Sequence, residues 1–346
     1  MKYKILIIKL RAIGDVVLST IVISNLRKAF PDAQIDFLTE SPAKDAIVGN
    51  PDLNEVIIFE RTRIQKLNVW LGLRENIRFI ESIRRNRYDI VFDFFGNPRS
   101  ALFTLLSGAK KRVGYDWRGR RLAYNIVVTS RAAEVHEAEF HLDALAALDI
   151  PIVDRNLTFP ITACAKNFAD DFFAEQHLQN SLVIGLNSSG GWPAKKWPLS
   201  YFAQLADRMV QKLSAKVLLL WGPGELDEVK WVHHLMTTEA IIIPETDLKQ
   251  LGALLQKCSL IVSNDSGPMH IAAAVGTPTV GIFGPTHPET QGPYGAKHEV
   301  AVKKGLRCLG CDRLNCETDE CMRNLSVDEV WEVVTKCLRK NHIVSV

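Results

Sequence analysis

The residues between Leu260 and Thr286 concentrate the chemistry of this chain. Ser263-Asn-Asp-Ser-Gly-Pro-Met-His270 puts an acid, two hydroxyls, a glycine and an imidazole into one short stretch, and Gly284-Pro285-Thr286 forms a second small-residue turn. The β-branched run Leu260 to Val262 precedes the first turn, and Pro268 suits the first turn of a helix through Ala274. That helix start lies at a strand's carboxyl end, where open α/β sheets bind ligands and where unpaired N–H groups favour phosphate. A diphosphate-bearing ligand is therefore the first expectation. Asp265 and Ser266 could act as helix caps alone, but caps do not call for Asp265, Ser266, Gly267 and His270 within six residues. His270, about one turn into the helix, reads as a structural residue first.

Four other turns carry related chemistry. Asn187-Ser188-Ser189-Gly-Gly-Trp-Pro-Ala-Lys195-Lys196-Trp-Pro198 follows a strand with hydroxyls, glycines and two lysines, a mixture that suits phosphate oxygens. Trp221-Gly-Pro-Gly-Glu225 ends another strand with an acid placed to bind ribose hydroxyls. Near the amino end, Gly14-Asp15 sets an acid at the first turn of a helix after the strand Lys4 to Ile8. Asp93, followed by Gly96-Asn97, also follows a strand and is expected on the same rim.

Strands and helices must alternate to place these turns. Strands are expected at 34–38, 55–59, 89–92 and 112–114, with a helix from Asp15 to Ala29, another over 68–87 and a third over 136–148. Periodicity lapses between Ile150 and Thr162, and the alternation restarts with strands near 182–186, 216–221, 241–243, 260–262 and 279–283. The expectation is an α/β protein of two doubly wound domains, 1–160 and 161–346, with a cleft between facing sheet ends. The last helix, about 326–340, is a candidate to pack back across the first domain. Neither G-x-G-x-x-G nor a Walker A sequence is present, which weighs against dinucleotide binding and P-loop phosphate transfer.

At 346 residues, 47% hydrophobic and 23% charged, the composition is that of a globular protein. No run of about 18 apolar residues occurs and the apolar start is too short for a signal peptide, so a cytoplasmic location is expected. The formal charge of +3 hides a basic stretch: residues 61–131 hold 16 Lys and Arg against five acids, a net of +11. An anionic partner follows, with nucleic acid the weakest choice because no recognised binding motif accompanies the charge. Four of the seven cysteines, Cys308, Cys311, Cys316 and Cys321, form C-x2-C-x4-C-x4-C. The spacing admits a structural zinc ion or an iron–sulfur cluster, but the second half lacks a C-x2-C, and reduced thiols packing a loop are the default.

With these pieces in order the chain resembles the ADP-heptose:lipopolysaccharide heptosyltransferases, glycosyltransferase family 9, over essentially its whole length. The resemblance rests on Ile8-Lys-Leu-Arg-Ala-Ile-Gly-Asp15, Lys195-Lys-Trp-Pro198, Ser263-Asn-Asp-Ser-Gly-Pro-Met-His270 and Phe283-Gly-Pro-Thr286. It implies a GT-B fold, with the acceptor on the N-terminal domain and the nucleotide-sugar donor on the C-terminal domain. Asp15 matches the family's proposed general base in an inverting transfer of heptose, and Lys195 its donor-phosphate lysine. Asp265, Ser266 and Gly267 match the turn that holds sugar and diphosphate; Glu225 and Thr246 correspond more weakly to the ribose and adenosine side.

The resemblance further implies ADP-heptose and a lipopolysaccharide inner core as partners, no required cofactor, and work at the anionic cytoplasmic face of the inner membrane. Arg61, Arg63, Arg118, Arg120 and Arg121 are the candidates for acceptor or bilayer contact. Another nucleotide sugar is the first alternative, since diphosphate loops do not read the sugar. A non-catalytic nucleotide-sugar-binding module is the second, although it would have no evident use for Asp15.

Overall fold

The computed structural model describes residues 3–117 and 119–344. The chain divides into two compact units, Met1–Pro160 and Ile161–Val346. In the first, the order is β1 (Lys4–Ile8), α1 (Ile13–Ser19), α2 (Ile21–Ala29), β2 (Gln34–Glu40), β3 (Glu55–Phe59), α3 (Arg61–Gln65), α4 (Val69–Asn86), β4 (Ile90–Asp93), α5 (Pro98–Leu106), β5 (Lys111–Tyr115), β6 (Ile126–Val128) and α6 (Glu137–Ala146). The six strands form one parallel sheet in the order β3-β2-β1-β4-β5-β6.

The second unit repeats the plan. It runs α7 (Ala163–Glu175), β7 (Val183–Asn187), α8 (Leu199–Leu213), β8 (Lys216–Leu220), α9 (Leu226–Leu235), β9 (Ile241–Ile242), α10 (Leu248–Lys257), β10 (Leu260–Asn264), α11 (Gly267–Ala274), β11 (Thr279–Phe283), α12 (Pro288–Gln291), β12 (Glu299–Val302), α13 (Glu320–Arg323) and α14 (Val327–Lys340). Its parallel sheet has the order β12-β11-β10-β7-β8-β9. Counted from the first strand of each unit, both sheets have the doubly wound order 3-2-1-4-5-6. Each therefore has one switch point, between β1 and β4 and between β7 and β10, where the connections leave in opposite directions and open a crevice at the carboxyl ends.

The strands flanking each crevice are wholly inside. Ile5 to Ile8, Ile184, Leu186 and Leu260 to Val262 are at most 2% exposed, as expected of parallel strands covered by helices on both faces. Local chemistry sets the helix ends: the Asn68 side chain accepts from Leu71 N–H at the start of α4, and Arg87 adopts a left-handed φ of 53° at its end. Ser326 and Glu329 cap α14 reciprocally.

The expected α/β fold of two doubly wound units is the fold observed. Two details differ. The helix expected from Asp15 to Ala29 is two helices meeting at Thr20, whose hydroxyl donates to Val17 carbonyl at 2.7 Å and accepts from Thr158 N–H at 3.0 Å; hydroxyls that bond back into a helix compete with its ladder. The edge strands β6 and β12 were not anticipated, being only three and four residues long. The last helix packs within the second unit: Val327, Val330, Val334, Cys337 and Leu338 join the core formed by β7, β10, β11 and α8. That stripe is the apolar face of α14.

Candidate functional site

In the second unit the loops after β7 and β10 are tied into one rigid assembly. Asn187, the last residue of β7, donates from Nδ2 to the hydroxyls of Ser263 and Ser266, each at 2.9 Å. Asn264, the last residue of β10, accepts from Trp197 N–H at 3.2 Å and donates to Ser188 carbonyl at 2.8 Å. Trp197 is wholly buried, edge-on to Phe202, with its indole N–H on Leu325 carbonyl at 2.8 Å. An aromatic anchor of this size fixes the short turn before it, and that turn carries Lys195.

The two lysines of that turn part company. Lys196 turns aside to pair with Glu228 at 2.5 Å. Lys195 Nζ lies 2.6 Å from Asp265 Oδ2 and 4.1 Å from the centre of the Trp192 ring. The same Asp265 oxygen accepts from the Thr286 hydroxyl at 2.6 Å. Lysine, aspartate and threonine come from three separate turns, and all three converge where α11 begins. Ser266 does not cap that helix with its side chain; its hydroxyl bonds Asn264 carbonyl at 3.1 Å instead. The purely capping reading of Ser266 is thereby removed. Gly267 opens α11, and His270 is buried on it.

Of the remaining expected donor residues, Ser189 donates to Glu225 Oε2 at 2.5 Å, and that carboxylate oxygen also takes Gly222 N–H at 2.8 Å. Ser188 is buried beside them, and Thr246 is half-buried just before α10. The cysteine segment braces these turns from behind. Gly310 N–H donates to Gly284 carbonyl at 3.1 Å, Asp312 N–H to Pro285 carbonyl at 2.7 Å, and Ala194 N–H to Leu314 carbonyl at 3.3 Å. One loop thus holds both the Lys195 turn and the Thr286 turn. A Cβ on Gly284 would lie 2.7 Å from Cys321 Sγ, so this contact requires glycine.

Cys308 and Cys311 are exposed, Cys316 is half-buried and Cys321 is buried. Burial pushes the Cys321 thiol up to about 11, while the Thr318 hydroxyl and neighbouring N–H groups hold the Cys316 thiol below its ordinary value. Among the described residues no group of three or more His, Cys, Asp or Glu is placed to share a metal ion.

The first unit's switch point has different contents. Asp15, half-buried on α1, accepts from Ala12 N–H at 3.2 Å. Beneath the turn lies Lys9, 5% exposed, which donates to Glu137 at 2.7 Å and to Phe94 carbonyl at 3.3 Å. Burial alone would lower the Lys9 pKa, but Glu137, Asp15 and Asp93 outweigh it and raise it above the ordinary lysine value. Asp93, at the end of β4, accepts from Phe95 and Gly96 N–H groups and from the Tyr124 hydroxyl at 2.7 Å. Burial still holds its carboxyl above the usual range. His141 is buried among Phe94 and Phe140, and burial with Lys9 nearby lowers its pKa to about 3.

Lys9 and Glu137 were missed as site residues. A lysine directly after the buried apolar run Ile5 to Ile8 is a legible signal; nothing near Glu137 points to it. Thr286 was seen as part of a turn, without its partner. Among the expected basic residues, Arg61 pairs with Glu40 at 3.6 Å and Arg63 with Glu75 at 3.4 Å. Arg120 donates to Gly96 carbonyl at 2.5 Å beside the Asp93 turn, Arg121 is exposed, and Arg118 lies outside the described residues.

Comparison with known proteins bears on these two crevices. A family model described as glycosyltransferase family 9 (heptosyltransferase) matches residues 76–321. Lipopolysaccharide heptosyltransferase 1 of Pseudomonas aeruginosa is 26% identical over 317 residues, 90% of this chain and 87% of that protein. Among solved structures, a family 9 glycosyl transferase from Veillonella parvula superposes with a TM-score of 0.81, at 24% identity over 98% of this chain and 97% of that one. The E. coli ADP-heptose lps heptosyltransferase II superposes with a TM-score of 0.76, at 24% identity over 99% and 100%.

Proposed function

The chain belongs to glycosyltransferase family 9, and on that premise we propose that it transfers heptose from ADP-heptose to the inner core of lipopolysaccharide, with inversion at the anomeric carbon. The observation that carries the donor half is the Lys195–Asp265 pair at the start of α11, with Thr286 on the same carboxylate oxygen. An ammonium held by one carboxylate keeps two further N–H groups for phosphate oxygens. The first-turn N–H groups of α11 add partial positive charge at the same place. Together they stabilise the charge that grows on a departing diphosphate, so the reaction as proposed needs no metal. Asp265, Ser266 and Gly267 hold the sugar and diphosphate, while Ser189 and Glu225 serve the ribose and Thr246 the adenosine side.

Asp15 is the proposed general base. Its carboxylate takes the proton of the acceptor hydroxyl as that oxygen bonds to the anomeric carbon and the bond to the ADP oxygen breaks. Arg120, seated beside the Asp93 turn, and Arg61, Arg63 and Arg121 are proposed to meet phosphates and acidic sugars of the acceptor. Because that acceptor is a lipid, the enzyme is proposed to work at the cytoplasmic face of an anionic inner membrane. No described helix is long and apolar enough to cross one.

The test is acceptor-dependent release of ADP from ADP-heptose with deep-truncated lipopolysaccharide, with UDP-glucose and GDP-mannose as control donors. Release from ADP-heptose alone is expected. Release only from another donor would overturn the sugar assignment, and donor binding without release across a panel of acceptors would favour a binding module.

A further inference from the structure

Helix α4 carries one broad apolar face, and the core covers only its second half. Phe79, Ile80 and Ile83 pack against the cluster that includes Leu6, Phe59 and Phe103. In the first half of the helix, at 3.6 residues per turn, Val69, Trp70, Leu73 and Ile77 fall within roughly 100° of arc and about 12 Å of helix, on the side that Ile80 continues into the core. All four are exposed, Val69 by 83% and Trp70 by 80%. Scattered exposed apolar residues are ordinary, but an aligned set with a tryptophan at its end marks a contact surface.

The charge around the stripe says what the contact is. From Arg61 to Arg87 the chain holds eight Lys and Arg against two acids, Glu75 and Glu81. Glu75 is itself shared between Arg63 at 3.4 Å and Arg78 at 2.9 Å, which leaves the cluster with excess positive charge. A second copy of the chain would bring the same cations against these in a two-fold contact, and like charge disfavours that pairing. An anionic bilayer offers both complements at once: acyl chains for the stripe and phosphates for the arginines.

We propose that α3 and the first half of α4 form a membrane-docking surface. The helix lies in the plane of an anionic bilayer, with Val69, Trp70, Leu73 and Ile77 below the headgroups and Arg74 and Arg78 at phosphate level. The inference deepens the proposed work at a membrane and rests on it for its purpose, but the surface itself is argued from α3 and α4.

Flotation with vesicles of phosphatidylglycerol and phosphatidylcholine, against phosphatidylcholine alone, tests it without any sugar transfer. Wild-type protein should float with the anionic vesicles and weaken as salt is added. Trp70→Ser with Leu73→Ser should lower vesicle affinity by about 30-fold, and Arg74→Gln with Arg78→Gln by about 10-fold. Trp70→Phe should retain most of the binding, which separates lost insertion from lost folding. ADP release with a delipidated soluble acceptor should be unchanged in the serine variant. Unaltered flotation of the serine variant, or equal wild-type binding to neutral vesicles, would overturn the proposal. So would loss of a dimer in that variant with flotation intact, since the stripe would then be a subunit interface. If flotation behaves as expected and no donor releases ADP, the docking surface stands and the catalytic assignment falls.

Discussion

The two units share one sheet order and fill their switch points in opposite ways. After β7 and β10 the turns are built from Asn, Ser, Gly and Thr, whose polar groups are satisfied by one another, with the ion pair Lys195–Asp265 set among them. After β1 and β4 the turns stand over buried charge: Lys9 on Glu137, Asp93 under Tyr124, and His141 against Phe94. A neutral hydrogen-bonded frame has little freedom to rearrange and suits a ligand that must be held. A layer of coupled charges shifts proton affinities and suits a group that must exchange a proton. Topology places the crevice in both units, and side-chain chemistry divides the labour between them.

That division can be broken from either side. The largest effect is expected at Asp15. Asp15→Ala should lower kcat by about 100-fold or more while ADP affinity, read by calorimetry, stays at the wild-type value. Turnover near wild type would remove Asp15 from the chemistry, and a parallel loss of ADP affinity would show that the two crevices do not divide the work as argued. Lys195→Ala should have the converse signature. Removing the ammonium leaves Asp265 buried without its cation and facing the diphosphate, so ADP affinity should fall by about 10-fold or more. Lys195→Ala with Asp265→Asn should recover part of that loss, because the stranded carboxylate is gone. ADP affinity unchanged in the single variant would place the diphosphate elsewhere.

How far this was legible beforehand differs between the units for the same physical reason. The second unit's site is built from residues adjacent in sequence to strand ends, so Lys195, Asp265, Ser266 and Glu225 stood out by composition alone. The sequence could not show that Lys195 faces Asp265 while Lys196 turns to Glu228, because the choice depends on where Trp197 finds its pocket. In the first unit Asp15 was legible from its turn, but its supporting layer was not. Lys9 meets Glu137 across 128 residues, and no local pattern encodes such a pairing. The alternation of strands was readable because buried parallel strands are continuous apolar runs. The short edge strands β6 and β12 and the break at Thr20 were not, since each is decided by contacts made in the fold.

The smallest expected effect sharpens the comparison most, because it tests whether the charged layer beneath Asp15 behaves as one unit. His141, with a folded pKa of about 3 against an ordinary 6.5, is neutral in the native protein throughout the range where the unfolded chain takes up a proton. Between these values the unfolded state binds more protons, so stability falls as pH drops from about 6.5 toward about 3. The slope from this one group approaches about 1.4 kcal/mol per pH unit. His141→Phe should flatten the pH dependence of the urea-unfolding free energy by close to one proton between pH 6 and pH 4. Lys9→Met should have a related, weaker consequence: with the neighbouring cation gone, His141 charges more readily in the folded protein, so acid destabilisation still begins near pH 6.5 but levels off at a higher pH and totals less. If the Lys9 variant left the total acid destabilisation and its levelling-off pH where they were, the buried charges would be independent neighbours, and the contrast with the neutral frame of the second unit would reduce to composition.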